Sequence, residues 1–215
     1  MKAARWAPIS GVLFVALWVA AMFLIFNNPG DSDSEIVSWY DDSGNRHKQI
    51  AGLFIILAAS LAFIWFVSVL RGRLAHAEGK AGTLTAIAFG AGLVTAALWT
   101  VANVFFQAIS LAVGDTKEFV VDPNTFRLID VVGYAIFVSG TTVALLVVVA
   151  TALVSLKGQI VPKWLAWLSF VVAATMLVSF FFIPFLIFLG LVLVVSVVLI
   201  WKPAESAAPV APTSG

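Results

Sequence analysis

The chain has 215 residues, of which 62% are hydrophobic and only 11% are charged, and its mean hydropathy is +1.08. This composition is too apolar for a soluble globular domain and predicts a protein with several membrane-spanning segments. The net charge of +1 creates no field that would attract nucleic acid, so we expect no nucleic-acid partner. The chain has no Cys, which excludes disulfides, thiol catalysis and Cys-ligated metal centres.

Long apolar segments between polar connectors predict an all-α integral membrane protein, a bundle of six transmembrane helices in the lipid bilayer. The spans are expected at about residues 6–26, 50–70, 82–110, 130–155, 164–182 and 184–201. The last two share one charge-free stretch, which as a single helix would be about 57 Å long, about twice the hydrocarbon thickness. Pro184 marks the expected turn between them. The transmembrane domain would comprise residues 1–202, and the Pro- and Ala-rich residues 203–215 predict a disordered cytoplasmic tail.

The distribution of Lys and Arg predicts the orientation of the six spans. Eight of the 12 Lys and Arg lie on the side that carries both termini, and four lie on the other side. Because basic residues accumulate on the cytoplasmic side of membrane proteins, both termini are expected in the cytoplasm, with the protein in the cytoplasmic membrane. The eight are Lys2, Arg5, Arg71, Arg73, Lys80, Lys157, Lys163 and Lys202.

Two acidic loops are expected on the outer face, at about residues 27–49 and 114–130. In the first loop, Ser32 and Glu35 have the spacing of a capping box, which predicts a short amphipathic helix. The clustered carboxylates indicate either a ligand or cation site or a solvated acidic surface, and we favour the solvated surface because no EF-hand spacing is present. In the second loop, Asp122 followed by Pro123 predicts a helix start.

Small and polar residues form a stripe along the third span. At about 100° per residue they fall on one quarter of the helix, and such a face is expected to contact other helices. The stripe consists of Thr85, Gly92, Ala96, Thr100, Asn103 and Gln107. The fourth span offers Gly133, Gly140 and Ala144 as further helix-packing residues.

Asn103, Gln107, Asp130 and Tyr134 form a candidate polar cluster in the outer halves of the third and fourth spans. An ionisable residue at membrane depth indicates a functional site, because a buried carboxylate needs a partner or a proton. An amide of the cluster could hydrogen-bond the carboxylate. In the structural alternative, which we favour, Asp130 lies at the headgroup level and pairs with Arg127 or caps a helix.

Several short motifs accompany this layout: Trp6-Ala-Pro-Ile-Ser-Gly11, residues 29–40, Leu70-Arg-Gly-Arg-Leu74 with Glu78-Gly79, and Val161-Pro-Lys-Trp-Leu-Ala-Trp167. In these motifs the chain resembles a family of uncharacterised six-span bacterial membrane proteins, common in actinobacteria and catalogued as a domain of unknown function. The resemblance covers nearly the whole chain outside the tail. It implies a multi-pass membrane protein, and no activity or functional residue comes with it.

Three hypotheses of function follow. The first is an accessory or scaffold protein that binds a membrane-protein partner or forms a homo-oligomer; the second is a proton- or cation-coupled transporter of small solutes that uses the third and fourth spans. An enzyme acting on lipid is the weakest, because His47 and His76 lie in predicted connectors and the spans offer no base for a serine nucleophile. We therefore expect no catalytic residue, no metal site and no cofactor.

Reporter fusions test the predicted orientation. Fusions to a reporter that is active only in the cytoplasm should give signal after Lys80, after Gln159 and at Gly215, and should be silent after Ser43 and after Lys117. A cytoplasmic signal from either acidic loop would overturn the six-span arrangement.

Overall fold

The computed structural model describes residues 8–26, 28–79, 82–116 and 118–201, and every regular element in these ranges is an α-helix. The all-α prediction is therefore confirmed for the described chain. The predicted tail at 203–215 and the first two residues of the predicted first span lie outside the described residues. The helices are α1 (Ile9–Ile25), α2 (Asp33–Asp41), α3 (Ser43–Glu78), α4 (Thr83–Asp115), α5 (Pro123–Gly158), α6 (Lys163–Met176) and α7 (Ile183–Trp201).

Four of these helices, α3, α4, α5 and α7, are long and apolar enough to cross a membrane. The other two apolar helices are shorter, since α1 has 17 residues and α6 has 14. At 1.5 Å per residue they measure roughly 26 Å and 21 Å, against a hydrocarbon thickness of about 30 Å. The molecule is thus a helical bundle of the membrane-protein type.

Helix α3 extends beyond the predicted second span at both ends. It begins at Ser43 because Asp42 caps it, with the backbone N–H of Gly44 donating to the Asp42 carboxylate at 2.7 Å. It continues to Glu78, where Gly79 takes a positive φ of 81° and ends the helix. The prediction that both histidines lie in connectors is therefore wrong, since residues 47 and 76 are both within α3.

Helix α6 is shorter than predicted. It ends at Met176, whereas the fifth span was expected to continue to residue 182, so that boundary was wrong. The residues between α6 and α7 form successive turns, and Leu177, Phe180 and Phe181 are exposed there. The chain reverses direction here without Gly, Asn or Asp, and Ser179 was the only turn-forming residue before Pro184.

The six apolar helices form a closed ring around an aromatic core. From α3 to α7 each helix packs against the next, while α1 packs against both α3 and α7 and closes the ring. Trp99 of α4 is fully buried at the centre. The centroids of four neighbouring rings lie 5.3 to 5.9 Å from the Trp99 centroid; these rings belong to Phe14, Phe63, Phe185 and Phe188.

The short helix α2 covers one end of the ring, which we call the α2 end. The capping box predicted at Ser32 and Glu35 is confirmed, with the serine hydroxyl accepting from the Glu35 backbone N–H at 3.3 Å. Hydrogen bonds from the side chain and backbone of Ser32 to the Glu35 carboxylate lower the pKa of Glu35. Ile36 and Tyr40 are buried in a small separate cluster with Ile109 of α4, which anchors α2 to the ends of the longer helices.

The predicted small-residue stripe of α4 faces the interior. Five of its six residues are buried and Thr100 is half-buried, while the three small residues predicted on α5 are all buried. At Gly92 an added Cβ would lie 2.6 Å from Cγ1 of Val67 on α3 and 3.2 Å from its Cβ. Since a β-branched valine has little rotamer freedom in a helix, α3 and α4 can approach this closely only around a glycine.

Substitution of this glycine should separate the two helices. Gly92→Leu is expected to lower the free energy of unfolding by about 1–3 kcal/mol because it overpacks the α3–α4 contact. Leu93→Ile is the matched control, since Leu93 is 38% exposed on the adjoining face. Thermal unfolding in detergent measures both variants, and equal losses would show that the close contact at Gly92 does not hold the helices together.

Candidate functional site

A cavity of about 300 Å³ lies at the α2 end of the bundle, between α1, α3, α4 and α5 and beneath α2. All four residues of the candidate polar cluster, Asn103, Gln107, Asp130 and Tyr134, line this one cavity. The structure adds three further polar side chains to its wall. These are Asn28, Tyr40 and Gln49.

Two amides on α4 form the deep polar wall of the cavity. Asn103 and Gln107 lie one helical turn apart, and their side chains are 2% and 1% exposed. The amide N–H of Asn103 donates to the backbone carbonyl of Leu53 on α3 at 3.2 Å, and the Gln107 amide donates to the Asn103 oxygen at 3.5 Å. The suggested hydrogen bond from one of these amides to the Asp130 carboxylate is not formed. Both amides donate to other acceptors.

Asp130 lies on α5, is exposed and lines the cavity. Its carboxylate has no hydrogen bond or ion pair within the described chain. Two parts of the structural alternative, the pairing of Asp130 with Arg127 and its role as a helix cap, are wrong, while its depth at the headgroup level stays a prediction. Arg127 instead pairs with Asp33 of α2 at 2.6 Å, and Asp122 caps α5 by accepting from the Thr125 backbone N–H at 2.8 Å.

Tyr134 lies one turn after Asp130 and holds the far side of the cavity. Its hydroxyl donates to the backbone carbonyl of Phe180, in the turn between α6 and α7. Phe182 of the same turn lines the cavity and packs against Phe26 at the end of α1, with ring centroids 5.4 Å apart. The Tyr134 hydroxyl therefore fixes the turn against the cavity wall.

Three buried polar atoms on the cavity wall have no hydrogen-bond partner in the part of the chain that the structure describes. They are the side-chain oxygens of Gln49 and Gln107 and the indole N–H of Trp18. Each of these side chains is at most 5% exposed. An unpaired buried polar group costs about 1–3 kcal/mol, and native structures contain few of them. Five further buried polar atoms away from the cavity also lack a partner in the described chain, and all eight are out of reach of water, so these atoms do not by themselves mark a ligand site.

Tyr40 places a phenol hydroxyl at the cavity under α2. Burial raises the pKa of Tyr40, and the nearby negative charge of Asp130 raises it further. The hydroxyl is therefore protonated at neutral pH and remains available as a hydrogen-bond donor.

Contacts from two arginines hold α2 over the cavity. Arg127 of α5 donates to the Asp31 backbone carbonyl at 2.9 Å in addition to its ion pair with Asp33. Arg46 at the start of α3 donates to the backbone carbonyls of Tyr40 and Asp41. The position of α2, and of Tyr40 within it, is thus set from two neighbouring helices.

Sequence reasoning missed Trp18, Tyr40 and Gln49 as cavity residues. Gln49 was assigned to a loop, and only an earlier start for α3 would have placed it on a buried helical face. Tyr40 shares the apolar side of α2 with Ile36, which was the available signal. Trp18 gave no such signal, because a buried Trp inside an apolar helix is usual.

No family model, no curated protein and no solved structure matches this chain. The resemblance to an uncharacterised six-span family therefore stays a prediction.

Proposed function

We propose that this chain is a six-span protein of the cytoplasmic membrane that binds a small organic solute in the cavity at the α2 end, as a carrier does. One observation carries the proposal: the four polar residues Asn103, Gln107, Asp130 and Tyr134 and a set of aromatic rings line a single cavity of about 300 Å³. Ligand pockets have volumes from about 300 Å³ upward, so the cavity suits a solute about the size of one substituted ring.

The proposed topology makes the α2 end the outer end. Six crossings use the four long helices together with α1 and α6, whose shorter lengths the bilayer can accommodate by local thinning. The excess of Lys and Arg on the opposite side supports cytoplasmic termini. The cavity would then open to the outside, with the bulk of the aromatic core between it and the cytoplasm.

A scaffold protein would use the acidic outer loops to meet a partner, and the first of these loops gives that hypothesis less support. Asp33 is engaged with Arg127, Glu35 completes the capping box, and Asp42 caps α3. These three carboxylates serve the fold of the α2 end and are engaged without a protein partner, whereas Asp31 and Asp41 of the same loop are exposed. The transporter hypothesis instead gains a cavity that all four candidate residues line.

Binding can be measured with three solutes of one shape and different charge: benzyl alcohol, benzylamine and benzoate. Isothermal titration calorimetry of the full chain in detergent should show one site for at least one of them, with a Kd of about 1 mM or lower. Met22→Trp should weaken this binding about tenfold or more, because Met22 is buried on the cavity wall and an indole would fill the space.

Val19→Trp is the matched control. It adds the same ring to the same helix at a position that is 42% exposed and does not line the cavity. Its binding should equal that of the unsubstituted chain. If none of the three solutes binds, or if both tryptophan variants bind as tightly as the unsubstituted chain, the cavity is not a solute site.

Gln107→Leu separates stability from binding. The substitution removes an amide oxygen that has no partner and a long hydrogen bond to Asn103, so the free energy of unfolding should stay constant or rise by about 1 kcal/mol. Solute binding should weaken in the same variant. Asn103→Leu is the comparison, because it breaks the bond to the Leu53 carbonyl and should lower the free energy of unfolding by about 1 kcal/mol. Equal destabilisation in thermal unfolding would mean that Gln107 is kept for the fold.

A further inference from the structure

We infer that the solute is a small organic amine in its protonated form, with its ammonium group at Asp130 and its apolar body against the aromatic wall. The inference rests on the proposed function and specifies the class of solute that the cavity accepts.

The charge of the cavity wall favours a cation. Asp130 is the only Asp or Glu among the described lining residues, and these include no Lys, Arg or His. The nearest basic residue in sequence, Arg127, is engaged with Asp33 and Asp31 at the α2 cover. The carboxylate therefore has no counter-ion on the wall, and a monocation would neutralise it.

The Asp130 carboxylate favours a donor of several hydrogen bonds. It lines the cavity, is exposed, and accepts no hydrogen bond from the described chain. A primary ammonium offers three N–H donors and no acceptor, so it can donate to both carboxylate oxygens. An anionic solute would face the carboxylate with like charge.

The remaining wall is aromatic. Trp18 and Phe137 lie with ring centroids 6.0 Å apart, and Trp18 and Trp99 with centroids 6.1 Å apart, all three lining the cavity. Aromatic faces attract organic cations through the ring quadrupole and pack against apolar carbon. The wall thus suits a solute with one charged end and an apolar body.

A metal ion fits the site less well than an amine. The described residues contain no group of three or more His, Cys, Asp or Glu that could hold a metal ion. A hydrated inorganic cation would also leave the aromatic walls facing water. An organic cation satisfies the carboxylate and the apolar wall together.

The three benzyl solutes test the charge preference in the full chain. Calorimetry should show benzylamine, which is protonated at neutral pH, binding about tenfold or more tightly than benzyl alcohol, because a charge-assisted hydrogen bond is stronger than a neutral one. Benzoate should bind weakest. In Asp130→Asn, benzylamine should lose about tenfold in affinity, while benzyl alcohol should change by less than about twofold.

Asp41→Asn is the matched control for charge. Asp41 is exposed at the same end of the bundle and does not line the cavity, so its variant should keep the preference for benzylamine. Retained binding of benzyl alcohol shows that the Asp130 variant is folded. If that variant does not fold, the order of the three affinities for the unsubstituted chain still tests the amine inference.

The possible outcomes separate the two proposals. Binding of benzyl alcohol or benzoate as tight as that of benzylamine would overturn the amine inference and leave solute binding intact. An equal loss of benzylamine affinity in the Asp41 and Asp130 variants would also overturn it, since the effect would then be a general one of surface charge. Failure of all three solutes to bind would reject the proposed function itself.

Discussion

The burial of Trp99 is the constraint on which the arrangement of the bundle depends. An indole N–H at the centre of an apolar ring needs an acceptor, and the Thr141 hydroxyl on α5 accepts it at 3.3 Å. The adjacent Gly140 has no side chain, and a Cβ there would lie only 3.0 Å from the Trp99 ring. The hydrogen bond and the close approach together fix the register of α4 against α5. This register also fixes the position along the bundle axis of every other residue in the two helices.

The cavity follows from this register. Asn103 lies one turn beyond Trp99 on α4, so the amides begin where the aromatic core ends. Trp99 and Phe137 form the base of the cavity, while α2 covers the opposite side. The large aromatic side chains pack in the middle of the bundle and leave a space at the α2 end, which polar residues line.

Much of this site could be predicted from helical periodicity and local spacing. A separation of four residues places Asn103 with Gln107 and Asp130 with Tyr134, and the capping box of α2 depends on residues three apart. Periodicity gives the faces of helices but does not choose among polar partners. The pairing of Arg127 with Asp33 joins residues 94 positions apart, and nothing local distinguishes it from a pairing with Asp130. The predicted end of α6 was wrong for another reason, since the turn has no Gly, Pro, Asn or Asp and its one polar residue, Ser179, is buried.

The attachment of α2 combines polar contacts, from Arg127 and Arg46, with apolar burial. Its ion pair to Arg127 is exposed, with the two side chains 42% and 73% accessible, and such pairs contribute about 0–1 kcal/mol. Ile36 is 1% exposed, and burial of an isoleucine contributes about 1.5–3 kcal/mol. Movement of α2 away from the bundle is thus opposed more by the transfer of apolar surface into water than by this ion pair. Ionic strength, which screens the ion pair, should have little influence on such opening, whereas cooling weakens the hydrophobic contact and should make opening easier.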